Sequence, residues 1–150
     1  MSSHYDAIVI GCGGFGSSAL FHLASRGVKV HGIDRFQPPH DKGSSHGETR
    51  MIRKAYHEHV DYVPLVQNAY RLWHELEERT SQKLYYETGL FFAAPPEGST
   101  ITGAKLAARL HHLRHEIVPR EDFRDRFPGF ELPDGFDVFL EHEAGYLLID

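Results

Sequence analysis

The first 34 residues of this 150-residue chain constrain its fold more than any other stretch. Ala7, Ile8, Val9 and Ile10 form a short apolar run that leads directly into Gly11-Cys12-Gly13-Gly14-Phe15-Gly16. Such a run predicts a strand buried on both faces of a parallel sheet. Gly16, Leu20, Leu23 and Gly27 then recur at four, three and four residues, which places them on one face of a helix lying on that sheet. Gly27 supplies a helix stop, because glycine accepts the left-handed conformation without steric cost. Val28, Val30 and Ile33 predict a second strand ending at Asp34. Together these form a strand–helix–strand unit with a right-handed crossover.

The glycines of this turn have separate tasks. Gly11 permits a tight exit from the strand, Gly13 lets the backbone approach a pyrophosphate, and Gly16 brings helix and strand close together. The helix start adds amide donors and about half a positive charge, which stabilises a nearby anion by roughly 0.3–2 kcal/mol. Asp34 lies 18 residues past Gly16, where a carboxylate can accept from ribose hydroxyls and disfavours a 2′-phosphate. Gly11, Gly13, Gly14, Phe15, Gly16, Asp34 and Arg35 are therefore candidate dinucleotide-binding residues. Cys12 sits inside the turn as a small residue, with no base beside it in sequence to make it a nucleophile.

From Arg35 to Ala55 the periodicity disappears. Pro38-Pro39, Gly43-Ser44-Ser45 and Gly47 give turn chemistry, which predicts a long loop of the kind that carries function. Arg50-Met51-Ile52-Arg53-Lys54 gathers three cations in a chain of net charge −5, a pattern suited to an anion. A nicotinamide domain would continue with strand–helix alternation. The polar loop, with His46, Thr49, Arg50 and Arg53 in close succession, suits the longer FAD molecule better.

A helix is expected over 61–79, with Asp61 as N-cap, Pro64 in the first turn, and an apolar stripe of Leu65, Ala69, Leu72, Trp73 and Leu76. Glu75, Glu77, Glu78 and Arg79 are expected to face water. Leu84 to Tyr86 and Leu90 to Ala94 flank Thr88-Gly89 and suggest a hairpin, with one of Phe91 and Phe92 facing the core. A second helix is expected from about Thr100 to His115, and a short one from Glu121 to Phe127. Strands at Phe136 to Leu140 and Tyr146 to Ile149 follow.

Composition excludes several classes. No apolar stretch approaches the roughly 18 residues of a membrane span, and no basic flank precedes the first strand as a leader would require. An acidic chain without a Lys/Arg stripe is a poor nucleic-acid binder. A single cysteine rules out an intrachain disulfide and fits a reducing cytoplasm. His57-x-His59 and His111/His115 have ligand-like spacing, but no acidic or cysteine partner completes a set, so no metal is assigned.

The stretch Asp6 to Asp34, then Pro38-Pro39-His40 and Gly43 to Tyr56, closely resembles the monomeric sarcosine oxidase family of FAD-dependent amine oxidases, which includes N-methyltryptophan and pipecolate oxidases. Tyr62-Val63-Pro64-Leu65, Leu72-Trp73-x-x-Leu76, Thr88-Gly89-Leu90, Arg126-Phe127-Pro128 and Glu143-Ala144-Gly145-Tyr146-Leu147 extend the resemblance over nearly the whole chain. It implies oxidation of a secondary amine of an N-methyl or cyclic amino acid by O2, giving an imine and hydrogen peroxide. It further implies that Arg53 pairs with the substrate carboxylate, that Arg50 and His46 lie beside the flavin ring, and that Ser44 and Thr49 bond the cofactor.

The expected fold is α/β. It comprises a Rossmann-like FAD-binding βαβ unit with part of an interleaved α+β substrate domain, in a fragment of a longer two-domain, monomeric flavoprotein. Residues 1–86 form the FAD-binding portion, including a flavin-contacting loop over 35–55. Residues 87–138 belong to the substrate domain, and 139–150 return toward the FAD domain. The family's flavin-linking cysteine and oxygen-activating lysine fall beyond Asp150, so the isolated chain is expected to bind FAD weakly without turnover. The competing expectations are a fragment of an NAD-dependent dehydrogenase and a non-catalytic nucleotide-binding module.

Overall fold

The structure is a computed structural model and describes residues 4–148. The backbone divides after Glu48 into two compact units.

In the first unit, β1 (Ala7–Ile10) and β2 (Val30–Ile33) pair in parallel, with Ala7 opposite Val30 and Ile10 opposite Ile33. Helix α1 (Gly14–Ser25) connects them. Gly27, at φ 79°, closes the helix: its amide donates to the Ala24 carbonyl while the Val28 amide reaches back to that of Leu23. This paired closure needs a left-handed residue, as the sequence predicts. Burial of β1 on both faces is not found. Ala7 and Val9 are half-buried, whereas Ile8 is 59% and Ile10 86% exposed. The helix covers one face of a two-stranded sheet, and strand alternation turns every second side chain to the other.

The second unit holds two antiparallel sheets. One is ordered β3 (Thr49–Ile52), β8 (Gly145–Leu148), β4 (Tyr85–Glu87), and the other β5 (Leu90–Ala94), β7 (Asp137–Glu141), β6 (His115–Val118). Helices α2 (Tyr62–Thr80), α3 (Ser99–His111) and α4 (Arg120–Arg126) complete it. Ile101, Ala104, Ala107 and Ala108 of α3 pack with Ala55, Val63 and Phe139, all essentially without solvent contact. On a second cluster, Phe123 of α4 joins Val118, Val138 and Leu140. Burying a side chain such as Phe139 contributes about 1.5–3 kcal/mol. Tyr70 of α2 meets Tyr85 and Leu147 in a third cluster, with Ile52, Val66 and Trp73 around them.

The structure departs from several sequence expectations. The 35–55 loop contains strand β3, whose partner β8 lies almost a hundred residues downstream. No hairpin joins the two strands around Thr88-Gly89: β4 pairs with β8 and β5 with β7, in different sheets. The second long helix stops at His111 and His115 starts strand β6, so the two histidines do not share a helix face. Phe91 and Phe92 pack on different clusters, because β5 belongs to a sheet covered on both faces. Asp61 stands at the N-cap of α2 but makes no side-chain cap. Leu65 is 67% exposed while Val63 and Tyr70 carry the buried face of α2. The last predicted strand appears as β8, with Ile149 outside the described residues.

Candidate functional site

The glycine turn of the first unit has the geometry its sequence demands. Gly11 sits at φ 89°, a conformation that turns the chain out of β1 immediately after Ile10. A Cβ on Gly16 would collide with the Gly11 carbonyl group, so helix and strand approach to a distance only glycine permits. Gly13 is the extended N-cap of α1, no side chain caps the helix, and a Cβ there would meet open space. No acidic residue occupies the first turn. Such a helix start presents amide donors and a positive dipole end without an internal anion to satisfy them. At Gly14 an added Cβ would come within 3.1 Å of Ser45 Oγ, and Phe15 lies 97% exposed.

Beside the turn runs a groove of about 680 Å³ lined by Cys12, Leu20, Gly32, Asp34, Phe36 and Pro38, among others. Asp34 follows directly on β2 with its side chain 11% exposed. Its Oδ1 accepts from the Phe36 amide at 2.9 Å and its Oδ2 from the Cys12 amide at 2.6 Å. The amides of Phe36 and Cys12, with His40 close by, hold its carboxyl below the usual aspartate range. A carboxylate has about four acceptor sites; the two amides and His40 Nε2, 3.4 Å from Oδ1, take three, so one on Oδ2 remains for a hydroxyl donor in the groove. Arg35 is exposed, its guanidinium 5.4 Å from the Phe36 ring. Ser44 and His46 are exposed, and His46 Nδ1 lies 2.9 Å from the Gly43 carbonyl.

Thr49, Arg50 and Arg53 belong to the second unit. Thr49 is exposed at the start of β3, and its carbonyl accepts from Arg50 Nη1 at 2.7 Å. Arg53 follows the strand with its side chain only 12% exposed. Its Nη2 donates to Glu58 Oε1 at 2.6 Å, and its Nη1 to His57 Nδ1 at 2.9 Å and the Ala55 carbonyl at 3.3 Å. The His57 contact requires an unprotonated Nδ1. The Tyr56 and Phe92 rings flank the guanidinium at 4.5 and 5.4 Å. Arg53 thus presents a planar fork whose carboxylate partner is a side chain of its own chain. Burial acts to raise Glu58, but its own backbone amide and Arg53 hold it below the usual glutamate range.

Sequence reasoning missed Glu141. This carboxylate is fully buried at the end of β7 and accepts from the amides of Lys54 at 2.6 Å and Ala55 at 2.9 Å. Burial pushes its pKa above the ordinary value against the pull of these amides. Its one sequence signal is a charge ending the apolar run Val138-Phe139-Leu140. Lys54 Nζ pairs with Glu143 Oε1 at 2.7 Å over the Tyr70 ring. Among the described residues, no three histidine, cysteine, aspartate or glutamate side chains converge to hold a metal, and no helix is long and apolar enough to cross a membrane.

Comparison with known proteins agrees with this geometry. A protein-family profile described as FAD dependent oxidoreductase matches residues 6–147. Monomeric sarcosine oxidase of Bacillus sp. (strain NS-129) is 42% identical over 148 residues, covering 98% of this chain and 38% of the relative. N-methyl-L-tryptophan oxidase of Yersinia pestis (strain Pestoides F) is 38% identical over 143 residues, covering 95% of this chain and 38% of its own. Among solved structures, a point mutant of NikD, an unusual amino acid oxidase essential for nikkomycin biosynthesis, superposes with a TM-score of 0.82. It is 26% identical, over 99% of this chain and 38% of that one. The chain therefore spans well under half the length of the proteins it matches.

Proposed function

The chain belongs to the FAD-dependent oxidoreductase family, and from that premise we propose that it supplies the dinucleotide-binding part of an oxidase acting on a secondary amine of an N-methyl or cyclic amino acid. Family membership decides the dinucleotide, FAD, which the glycine turn alone leaves open. The observation that carries the reading is the conjunction of an uncapped helix start, a turn with open space at Gly13, and Asp34 lining the groove beside it.

The residues present fit FAD. The amides of Gly13, Gly14, Phe15 and Gly16 would face its pyrophosphate, and Asp34 would accept from the adenosine ribose, with Arg35 beside it. Ser44, His46, Thr49 and Arg50 would contact the remainder of the cofactor. The chemistry FAD would supply there is the two-electron oxidation of the carbon next to the amine nitrogen, with O2 as final acceptor, giving imine and hydrogen peroxide. Arg53 would hold the substrate carboxylate, which takes the place of Glu58 on the guanidinium fork. The exchange trades one charge-assisted bond, of about 1.5–3 kcal/mol, for another of the same kind and releases Glu58, 47% exposed, to water. Its aromatic flanks exclude water from one side of that pair.

In this reading residues 1–86 belong to the cofactor-binding portion, 87–138 to the substrate-binding portion, and 139–150, of which 149 and 150 lie outside the described residues, return to the first. The test is peroxide formation by the FAD-loaded oxidase that carries this chain, offered sarcosine, N-methyltryptophan and pipecolate. Turnover of at least one, lost on Arg53→Met, supports the assignment. Absence of turnover with all three, alongside oxidation of a primary amine, contradicts it. The isolated 150-residue chain should bind FAD weakly and form no peroxide.

A further inference from the structure

We infer that Glu141 is a positioning residue which, through the backbone of Lys54 and Ala55, sets the direction in which the Arg53 guanidinium projects. The inference rests on the proposed role of Arg53 toward a substrate carboxylate.

Strand β3 ends at Ile52, and the next residues have left its ladder with β8. The amides of Lys54 and Ala55 thus need acceptors from elsewhere, since a buried unpaired amide is costly. Glu141, 87 and 86 residues away in sequence, provides both with its two oxygens at 2.6 and 2.9 Å. A carboxylate at 0% exposure is an expensive way to fill space. It can, however, grip two consecutive amides with a separate oxygen for each, which neither an apolar side chain nor a glutamine, with its single acceptor oxygen, can do. The gripped segment then touches the guanidinium itself, because the Ala55 carbonyl accepts from Arg53 Nη1 at 3.3 Å. A continuous path therefore runs from the Glu141 carboxylate through the Ala55 peptide to the Arg53 fork. Glu141 makes no hydrogen bond to Arg53 and feels its charge only across space, so the hydrogen-bonded route between them is the backbone.

The test compares wild type with Glu141→Gln, which keeps the shape and one acceptor but puts a donor in place of the second. The FAD-loaded protein is labelled with 15N-arginine, and methoxyacetate serves as a carboxylate ligand lacking the amine. In E141Q the Arg53 Nε–H line is expected to shift and broaden, and methoxyacetate affinity to fall about tenfold, while FAD affinity is unchanged. Either the line or the affinity remaining as in wild type, in a folded E141Q that has lost amide protection at Lys54 or Ala55, overturns the inference. If Arg53→Met leaves methoxyacetate binding intact, the substrate role of Arg53 fails, and the Nε–H line alone decides the claim about Glu141. Should E141Q not fold, acidification of wild type decides instead. The groups facing Glu141 are Lys54, Arg53 and Tyr70, with His115 opposite it in the ladder, and Arg53 itself bonds His57 and Glu58, so the Glu141 and Glu58 carboxyl carbons and the His57 and His115 rings are each followed directly. A Glu141 midpoint shared with the Arg53 line supports the inference, and an Arg53 line indifferent to Glu141 protonation overturns it.

Discussion

The Cys12 amide donates to Asp34 Oδ2 at 2.6 Å, tying the glycine turn to the end of the second strand across 22 residues. One carboxylate thereby fixes the turn and faces the groove in which a ribose would sit. Asp34→Ala removes both functions. FAD affinity should drop by about one to two orders of magnitude, as expected for loss of charge-assisted hydrogen bonds. Titration of the FAD-free protein with FAD, followed by flavin fluorescence, measures it, and an unchanged affinity removes Asp34 from the site.

Gly16→Ala would normally favour a helix by up to about 1 kcal/mol. Here the added methyl collides with the Gly11 carbonyl, and either α1 or the turn must move. The variant should unfold at lower urea concentration than wild type and bind FAD more weakly. A more stable G16A with unaltered FAD affinity would show that the close approach has no consequence.

Gly103→Ala applies the same opposition of signs to the second unit. Gly103 lies within α3, where a Cβ would overlap the backbone of His57, next to the Arg53 partners His57 and Glu58. Overpacking of this kind costs about 1–3 kcal/mol, read from the urea midpoint. Stabilisation by the helix-favouring alanine would refute the packing.

Glu77 gives a pH dependence. The sequence suggests a solvated glutamate, yet its Oε1 accepts from the amides of Leu84 and Tyr85, both at 2.8 Å, with His74 and Lys83 beside it. Burial acts to raise its pKa, but the Tyr85 and Leu84 amides with His74 and Lys83 outweigh it and bring the group to about 2, from an ordinary 4.5. A lowered folded-state pKa stabilises the protein above the unfolded value and loses that contribution as pH falls through the folded one. The difference in Tm between wild type and Glu77→Gln should be full at neutral pH and shrink between 4.5 and about 2. A difference that stays constant across that window would contradict the bonding.

What the sequence discloses follows from the range of the interactions concerned. The first strand, α1 and Gly27 are legible because glycine chemistry and helical spacing act within a few residues. Helix α2 is legible for the same reason, apart from its buried face. Strands β3 and β6 are short, and their neighbours lie far along the chain, so no local pattern marks them. The pairing of β4 with β8 rather than β5 escapes because Thr88-Gly89 has hairpin composition, while the register is set by distant strands. Glu141 and Glu77 were unreadable as bonded groups, since their partners are backbone amides, which carry no residue signature.

The most direct test is an amide correlation spectrum of the 15N-labelled chain titrated with FAD, a method that tolerates weak binding. Saturable shifts should concentrate at Gly13, Gly14, Phe15, Gly16 and the residues around Asp34. Saturation with those resonances unmoved, or no saturable shift at any residue, would contradict a dinucleotide seated on the glycine turn.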